Sequence, residues 1–472
     1  MSTPTQRWEN LVQWLQELGM KVDGDHFLVE SRYRQGAGNA LFATADVPSS
    51  RALFALPARA KMNIVTLSPR YPSDARAPIL TATQLISLHL LLSRPSGGSE
   101  SPDTVFRPYI SVLPQEFDSH PLTWLVKRRL KRSSPAEDNL LSSLPPSAYS
   151  MLSRVEHRFL EDWRVVRNYI LVFRQELPIK YAACEQLSRD SLELSSTLDF
   201  LWAWLNVNTR CLYDDLGKSR EDNLSMCPVF DLANHAWQNP TMEPKNRNEG
   251  FGRKMSDLTC TSGKTAVARD EELCITYGAH SNGFLLAEYG FINNVSEDDI
   301  STGAYPGEVN VQDLVEELFA KRGQLGAEMK EVLEAESYWG DWTLHSSPRP
   351  AYPSYRLITA LRLYHTCPDV PDSGQLSESA VQIWRSTVCG QRDIISGVNE
   401  ASWRKSLLQI CRRVEGRAQS SVKKIDSQKT VIVGEVSEAW LGWAINNVRS
   451  LWIEEMLVAR EAAYSVEAGE EF

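Results

Sequence analysis

The chain has 472 residues, 42% of them hydrophobic and 23% charged, with a net charge of −10 and an isoelectric point near 5.5. That composition belongs to a folded protein long enough for two or three domains, and it excludes a chain that is disordered throughout. The acidic balance argues against a general nucleic-acid binder, which needs a basic footprint for phosphates, and suits a basic protein partner.

Taken in order, Trp8, Leu11, Val12, Leu15 and Leu18 recur at helical spacing and stop at Gly19, which predicts a capped amphipathic lead-in helix. Apolar runs at 27–30 and 39–44 flank a Gly36-Ala37-Gly38 turn, and a third at 52–57 follows, so this stretch reads as strands. From Lys61 the pattern becomes helical, with segments at 83–92 and 155–172 and a linker at 94–103. The apolar run 200–212 then carries Arg210 just before a polar loop. Beyond Asn293 the chain reads as mostly helix again, at 311–322, 355–364, 403–419 and 436–464. The last of these presents an apolar stripe through Trp440, Trp443, Ala444, Asn447, Leu451 and Met456, which is read as core.

The eight cysteines contain no Cys-x-x-Cys pair and several lie in apolar runs, as reduced thiols do, so neither a disulfide framework nor a structural zinc is expected. The first residues lack an apolar signal core, and no run approaches the ~20 residues of a membrane span. The expectation is therefore cytosol or nucleus, with neither membrane nor nucleic acid as partner, and a monomer.

Three clusters carry chemistry. Residues 227–236 place a carboxylate (Asp231), an amide (Asn234) and an imidazole (His235) together after an apolar run; 268–278 end in Tyr277; and 282–291 contain Tyr289. None is a zinc, phosphate or triad pattern. Singly, each reads as structural, since a tyrosine at a strand end is ordinarily core. Leu273, Ile275 and Tyr277 alternate with Cys274 and Thr276 as in a half-buried strand, so the Tyr277 ring is expected on the apolar side.

In order and spacing the clusters resemble the C-terminal half of a SET domain, the fold of protein lysine methyltransferases. Asn234-His235 looks like the pair with which that family holds S-adenosylmethionine (AdoMet), and Ile275-Thr-Tyr-Gly278 followed by Tyr289-Gly-Phe291 looks like the tail of the Rubisco-methyltransferase subclass. Residues 106–114, with Trp124 downstream, are similar to the signature of that subclass's helical insert. The resemblance implies an α+β protein, a β-rich SET core with a helical insertion followed by an all-helical C-terminal domain. Its parts would be a lead-in helix (1–24), SET segments at 25–60 and 200–296, the insertion at 61–199 and a substrate-docking helical region at 297–472.

The activity it implies is AdoMet-dependent methylation of a lysine in a non-histone protein such as a ribosomal protein or translation factor, with no metal. By the same resemblance Tyr277 and Tyr289 are the catalytic residues. Ala37, Gly38, Asn39, Arg210, Asp231, Asn234, His235 and Tyr289 hold the cofactor. Two positions depart from the family's pattern: Ala40 stands where a second loop glycine is common, and Asp270 where a glycine precedes Glu-Glu. These departures favour one alternative, a SET-fold scaffold without catalysis. A second alternative keeps the chemistry and moves the acceptor to a histidine side chain.

Overall fold

A computed structural model describes residues 2–24, 26–34, 38–75, 77–177, 189–246, 256–367, 376–435 and 439–472. They form two compact units, one of Met1–Ser133, Leu152–His280 and Glu288–Gly290, the other of Ser134–Met151, Ser281–Ala287 and Phe291–Phe472. Among the described residues no helix is long and apolar enough to cross a membrane, and no cluster of His, Cys, Asp and Glu is placed to hold a metal.

The first unit opens with the expected helix, Pro4–Glu17. Thr3 caps it by accepting the Gln6 N–H, Pro4 occupies the first turn, where its missing N–H costs nothing, and Leu11 and Leu15 are buried. Gly19, at φ +87°, ends it in the left-handed region that glycine adopts without strain.

The strands follow: β1 (Lys21–Val22), β2 (Val29–Arg34), β3 (Gly38–Ala43), β4 (Ala52–Leu56), β5 (Met62–Asn63), β6 (Leu212–Tyr213), β7 (Leu224–Met226), β8 (Asn234–His235), β9 (Met242–Asn246), β10 (Leu258–Ser262) and β11 (Glu272–Ile275). They assemble into small sheets ordered β1-β4-β10-β9, β2-β3-β11-β8 and β5-β7-β6. All pairings are antiparallel except β8 with β11, which run parallel with Asn234 opposite Cys274 and His235 opposite Ile275. Leu41, Ala43, Leu53, Phe54, Leu56, Leu273 and Ile275 fill the core between them.

The helices of the 61–199 region include Ala82–Leu92, Pro121–Arg129 and Pro146–Val172, and the run expected at 200–212 is the end of a helix, Arg189–Arg210. In Ala82–Leu92 every described residue but Thr83 is buried, so this is a core helix rather than an amphipathic one.

The second unit is mainly helical, but it holds one feature the residue pattern did not announce. Strands β12 (Glu308–Asn310), β13 (Thr343–His345) and β14 (Tyr352–Pro353) form a three-stranded antiparallel sheet, so the region beyond 297 is helical in the main and not throughout. Strands of two or three residues are too short to show a period-2 pattern.

The long helices Gly397–Glu435 and Ala439–Glu467 lie antiparallel, and ion pairs mark the register: Arg412–Glu467 at 3.0 Å, Arg460–Glu415 at 3.2 Å and Arg449–Asp426 at 2.7 Å. The buried side of the second helix runs through Leu441, Ala444, Ile445, Val448, Leu451, Trp452, Leu457 and Val458. Trp440, Trp443 and Met456, which were expected on that stripe, are half-buried at its border.

Candidate active site

The site is built at the end of β11. Leu273 and Ile275 are buried, Cys274 is half-buried and Thr276 exposed, so the alternation continues to Tyr277 and turns its ring inward. The Tyr277 hydroxyl donates to the Ala233 carbonyl at 2.8 Å, and its N–H donates to Nδ1 of His235 at 3.0 Å. Nδ1 is thus the acceptor, which places the proton of the neutral imidazole on Nε2. The ring of Tyr277 lies 5.2 Å from that of His235 and 5.1 Å from that of Tyr289, tilted by 34° and 37°.

Asn234 and His235 reach this place because β8 pairs in parallel with β11, and the Ala236 N–H extends the ladder to the Ile275 carbonyl at 2.8 Å. Asn234 Nδ2 donates to Glu272 Oε1 at 2.8 Å, and Glu272 in turn is paired with Arg34. The approach to β8 is strained. Val229 adopts φ +69° and ψ −58°, a tight three-residue turn that a β-branched side chain disfavours, just before the short helical turn Phe230–Leu232.

Asp231 and Arg210 complete the floor. Arg210 is the last residue of its helix and donates Nη1 to the Asp231 carbonyl at 2.6 Å, while the Asp231 carboxylate accepts the Tyr109 hydroxyl on Oδ2. Asp231 Oδ1 and Arg210 Nε are buried with no hydrogen-bond partner among the described residues. Buried polar atoms of both signs left in this state fit a ligand that brings its own acceptor and donor, as the amino-acid end of AdoMet does.

Desolvation sets the charge states. It raises the Tyr277 and Tyr289 hydroxyls above their ordinary values and lowers His235, so all three are neutral near pH 7. Burial pushes Asp231 up to about 6, with Arg210 and the Tyr109 hydroxyl opposing the rise.

Of the residues expected to hold a cofactor, Ala37 lies outside the described residues. Gly38 and Asn39 begin β3, and the antiparallel register of β3 on β11 (Phe42 opposite Glu272, Leu41 opposite Leu273) carries them toward the end where Tyr277 follows. The Asn39 side chain donates to the Val112 carbonyl at 3.1 Å, and its backbone pairs with Tyr33 of β2.

Both departures from the family pattern are absorbed locally. Gly38 takes the positive φ, +76°, whereas Ala40 is an ordinary strand residue whose side chain is buried in the core. Asp270 has φ +64°, a conformation Gly prefers but Asp tolerates, and it is held by an ion pair to Arg32 and by its N–H on the Ala43 carbonyl at 2.9 Å.

Residue patterns missed Tyr109, Glu272, His120, Asn208 and Glu288. The stretch 106–114 carries the resemblance to the helical-insert signature, which assigns Tyr109 no part in the site. The bond that brings Tyr109 to Asp231 spans 122 residues and leaves no local signal.

No protein-family profile matches the chain. It is similar to the ribosomal lysine N-methyltransferase 2 of Saccharomyces cerevisiae, 26% identical over 61% of this chain and 58% of that one. It is also similar to the ribosomal lysine N-methyltransferase set11 of Schizosaccharomyces pombe, 27% identical over 76% and 74%. The human actin-histidine N-methyltransferase is 25% identical over 62% of this chain and 43% of its own length. The match to the first of these relatives thus spans under two thirds of it. In fold, the chain superposes on Rubisco LSMT bound to AdoMet with a TM-score of 0.57 and 18% identity, over 100% of this chain and 93% of that one. A SET domain of LSMT bound to lysine and AdoHcy gives 0.56 and 18%, over 98% and 91%.

Proposed function

Since this chain has the SET-domain fold of the Rubisco large-subunit methyltransferases, we propose that it is an AdoMet-dependent protein-lysine N-methyltransferase acting on a non-histone protein, a ribosomal protein by analogy with its relatives. The observation that carries the reading is the Tyr277–Tyr289 pair, 5.1 Å between rings, at the strand end where the Asn234-His235 backbone is laid alongside. When bound, AdoMet supplies an activated methyl group on a cationic sulfur that leaves without acid assistance.

The chain's own residues then have three tasks. The first is to hold the cofactor, through Asn234, His235, Arg210 and Asp231 and the backbone of Gly38 and Asn39. The second is to orient the amine. With its proton on the Ala233 carbonyl, the Tyr277 hydroxyl meets an incoming amine as an acceptor; taking one amine N–H there leaves the nitrogen lone pair to point at the methyl. The third is to keep the amine neutral. A free lysine has a pKa of about 10.4, and enclosure by neutral His235, Tyr277 and Tyr289 beside a cation lowers it toward the reactive form.

The test is to incubate the purified protein with methyl-labelled AdoMet and ribosomes from cells lacking it, then to identify the modified residue by mass spectrometry. Methyl-lysine in a ribosomal protein is the expected product. Methyl-histidine moves the acceptor, and tight AdoMet binding with no transfer to ribosomes or lysate returns the protein to the scaffold class.

A further inference from the structure

Tyr289 is the last residue of the helix Asn282–Tyr289, where backbone carbonyls have no partner within the helix. The carbonyl just before it, that of Glu288, takes two side-chain donors from distant elements. Asn208 Nδ2 reaches it at 3.1 Å and His120 Nε2 at 3.2 Å. The role of His120 follows from its other nitrogen: Nδ1 accepts the Leu122 N–H at 3.1 Å, so the ring proton sits on Nε2 and is donated to Glu288. Burial holds this imidazole neutral by pushing it down to about 4.

The Glu288 side chain is held as well. Asn208 Nδ2 also donates to Oε2 at 3.0 Å, and Arg158 Nη2 contacts the two carboxylate oxygens at 2.5 and 2.6 Å. On the other side of Tyr289, Gly290 has φ +81°, and a β-carbon there would come within 2.8 Å of His120 Cδ2. A helix end leaves its last four carbonyls without a partner in the helix, and here a single one of them takes two side-chain donors. Here two side chains, from the start of Pro121–Arg129 and the last turn of Arg189–Arg210, converge on the carbonyl just before one tyrosine, and a third, from the middle of Pro146–Val172, holds the carboxylate of the same glutamate.

The geometry points to Asn208, with His120 and Arg158, as positioning residues that set the Tyr289 ring against Tyr277 by gripping Glu288. This inference rests on the role given to Tyr289 above. It assigns a catalytic consequence to His120 and Arg158 of the helical insertion and to Asn208 of the second SET segment, which the residue patterns did not single out.

The experiment uses the full-length protein, labelled AdoMet and the same ribosomes, with Asn208→Ala, Asn208→Gln, Arg158→Ala and Tyr289→Ala compared with wild type. Asn208→Ala is expected to lower kcat about tenfold or more while leaving the KM for AdoMet within about twofold, as displacement of an aligned group does. It is also expected to change the proportions of mono-, di- and trimethyl-lysine, because the ring it shifts walls the amine. Asn208→Gln, which keeps an amide donor, recovers kcat at least in part. Arg158→Ala shows a smaller loss in the same direction, and serves if Asn208→Ala does not fold, since the Arg158 side chain is 51% exposed.

A folded Asn208→Ala with wild-type kcat and methylation pattern overturns the inference, as does a kcat that falls only in step with the folded fraction in every variant. If Tyr289→Ala itself methylates like wild type, or wild type methylates nothing, the reading of the site fails first and this one with it.

Discussion

Asp231 in the first unit and Glu454 in the second are both buried carboxylates, 5% and 4% exposed, and they end in different states. Desolvation raises both, yet Asp231 stops at about 6 and Glu454 goes to about 8. The difference lies in their neighbours. Asp231 has the Arg210 cation and the Tyr109 hydroxyl to favour its charge, whereas Glu454 has the Asn282 amide at 2.5 Å and the Glu308 backbone but no cation, and is opposed by the charges of Glu455 and Glu308. Glu455 beside it, pushed up to about 7, has Arg417 within 3.9 Å and the Ser147 hydroxyl at 3.0 Å. Burial alone therefore does not decide whether an acid is charged at neutral pH. The site at the end of β11 keeps its carboxylate ionised beside Arg210 and its tyrosines and His235 neutral, while the helical unit buries two acids poised to change state close to pH 7.

The widest separation of the two regions comes from the cofactor pair. Asn234→Ala and His235→Ala are each expected to lose measurable AdoMet binding by calorimetry while the second unit's melting is unchanged, because each removes a polar contact inside a closed site. Wild-type affinity in both variants takes the pair out of the cofactor site.

Next in size is Tyr277→Phe. Methyl transfer should fall by about 10²-fold, the scale of one aligned hydrogen bond in a transition state. Stability should fall by only about 1 kcal/mol, for the lost bond to the Ala233 carbonyl. Turnover and urea unfolding measured on the same preparation separate the two; equal losses in both would make Tyr277 structural.

A pH series sharpens the comparison. Glu454 and Glu455 have folded values above the ~4.3 of an unfolded glutamate, so the native state binds more protons than the unfolded one and stability declines as pH rises toward 8. His89 and His120, both pushed down to about 4 from an unfolded ~6.5, act in the opposite direction, and their contribution is complete above pH ~6.5. Between pH 7 and 8 the decline is thus mainly the carboxylates' own, of order 1 kcal/mol, and toward pH 9 the buried thiols of Cys211, Cys227, Cys260, Cys274 and Cys411, raised by burial above the ~8.5 of an unfolded cysteine, add to it. Glu454→Gln should flatten it, as read from urea midpoints, and an unchanged slope would remove Glu454 from the account.

The smallest effect is expected at Arg460→Ala on the outer face of the paired helices, where a half-exposed ion pair contributes about 0.5 kcal/mol or less. A loss above 2 kcal/mol there would mean that the helix pair depends on its surface charges more than on its apolar seam.

The helix begun by Thr3 and stopped by Gly19, the strand whose Leu273 and Ile275 turn Tyr277 inward, and the grouping of Asp231, Asn234 and His235 were all legible from the residues. Periodicity, capping and turn preference act over a few positions, so they survive in the linear order. The order and spacing of the three clusters carried the functional reading for the same reason. Only the folded chain decided that β8 lies parallel to β11, that Tyr109 meets Asp231, that Asn208 and His120 grip the carbonyl before Tyr289, and that Gly38 rather than residue 40 takes the positive φ. It also decided which acids are charged, since Glu454 and Glu455 read as ordinary surface residues of a helix until their surroundings are known. Pairing, desolvation and proton affinity depend on neighbours brought from a hundred residues away, and those distances have no trace in local sequence.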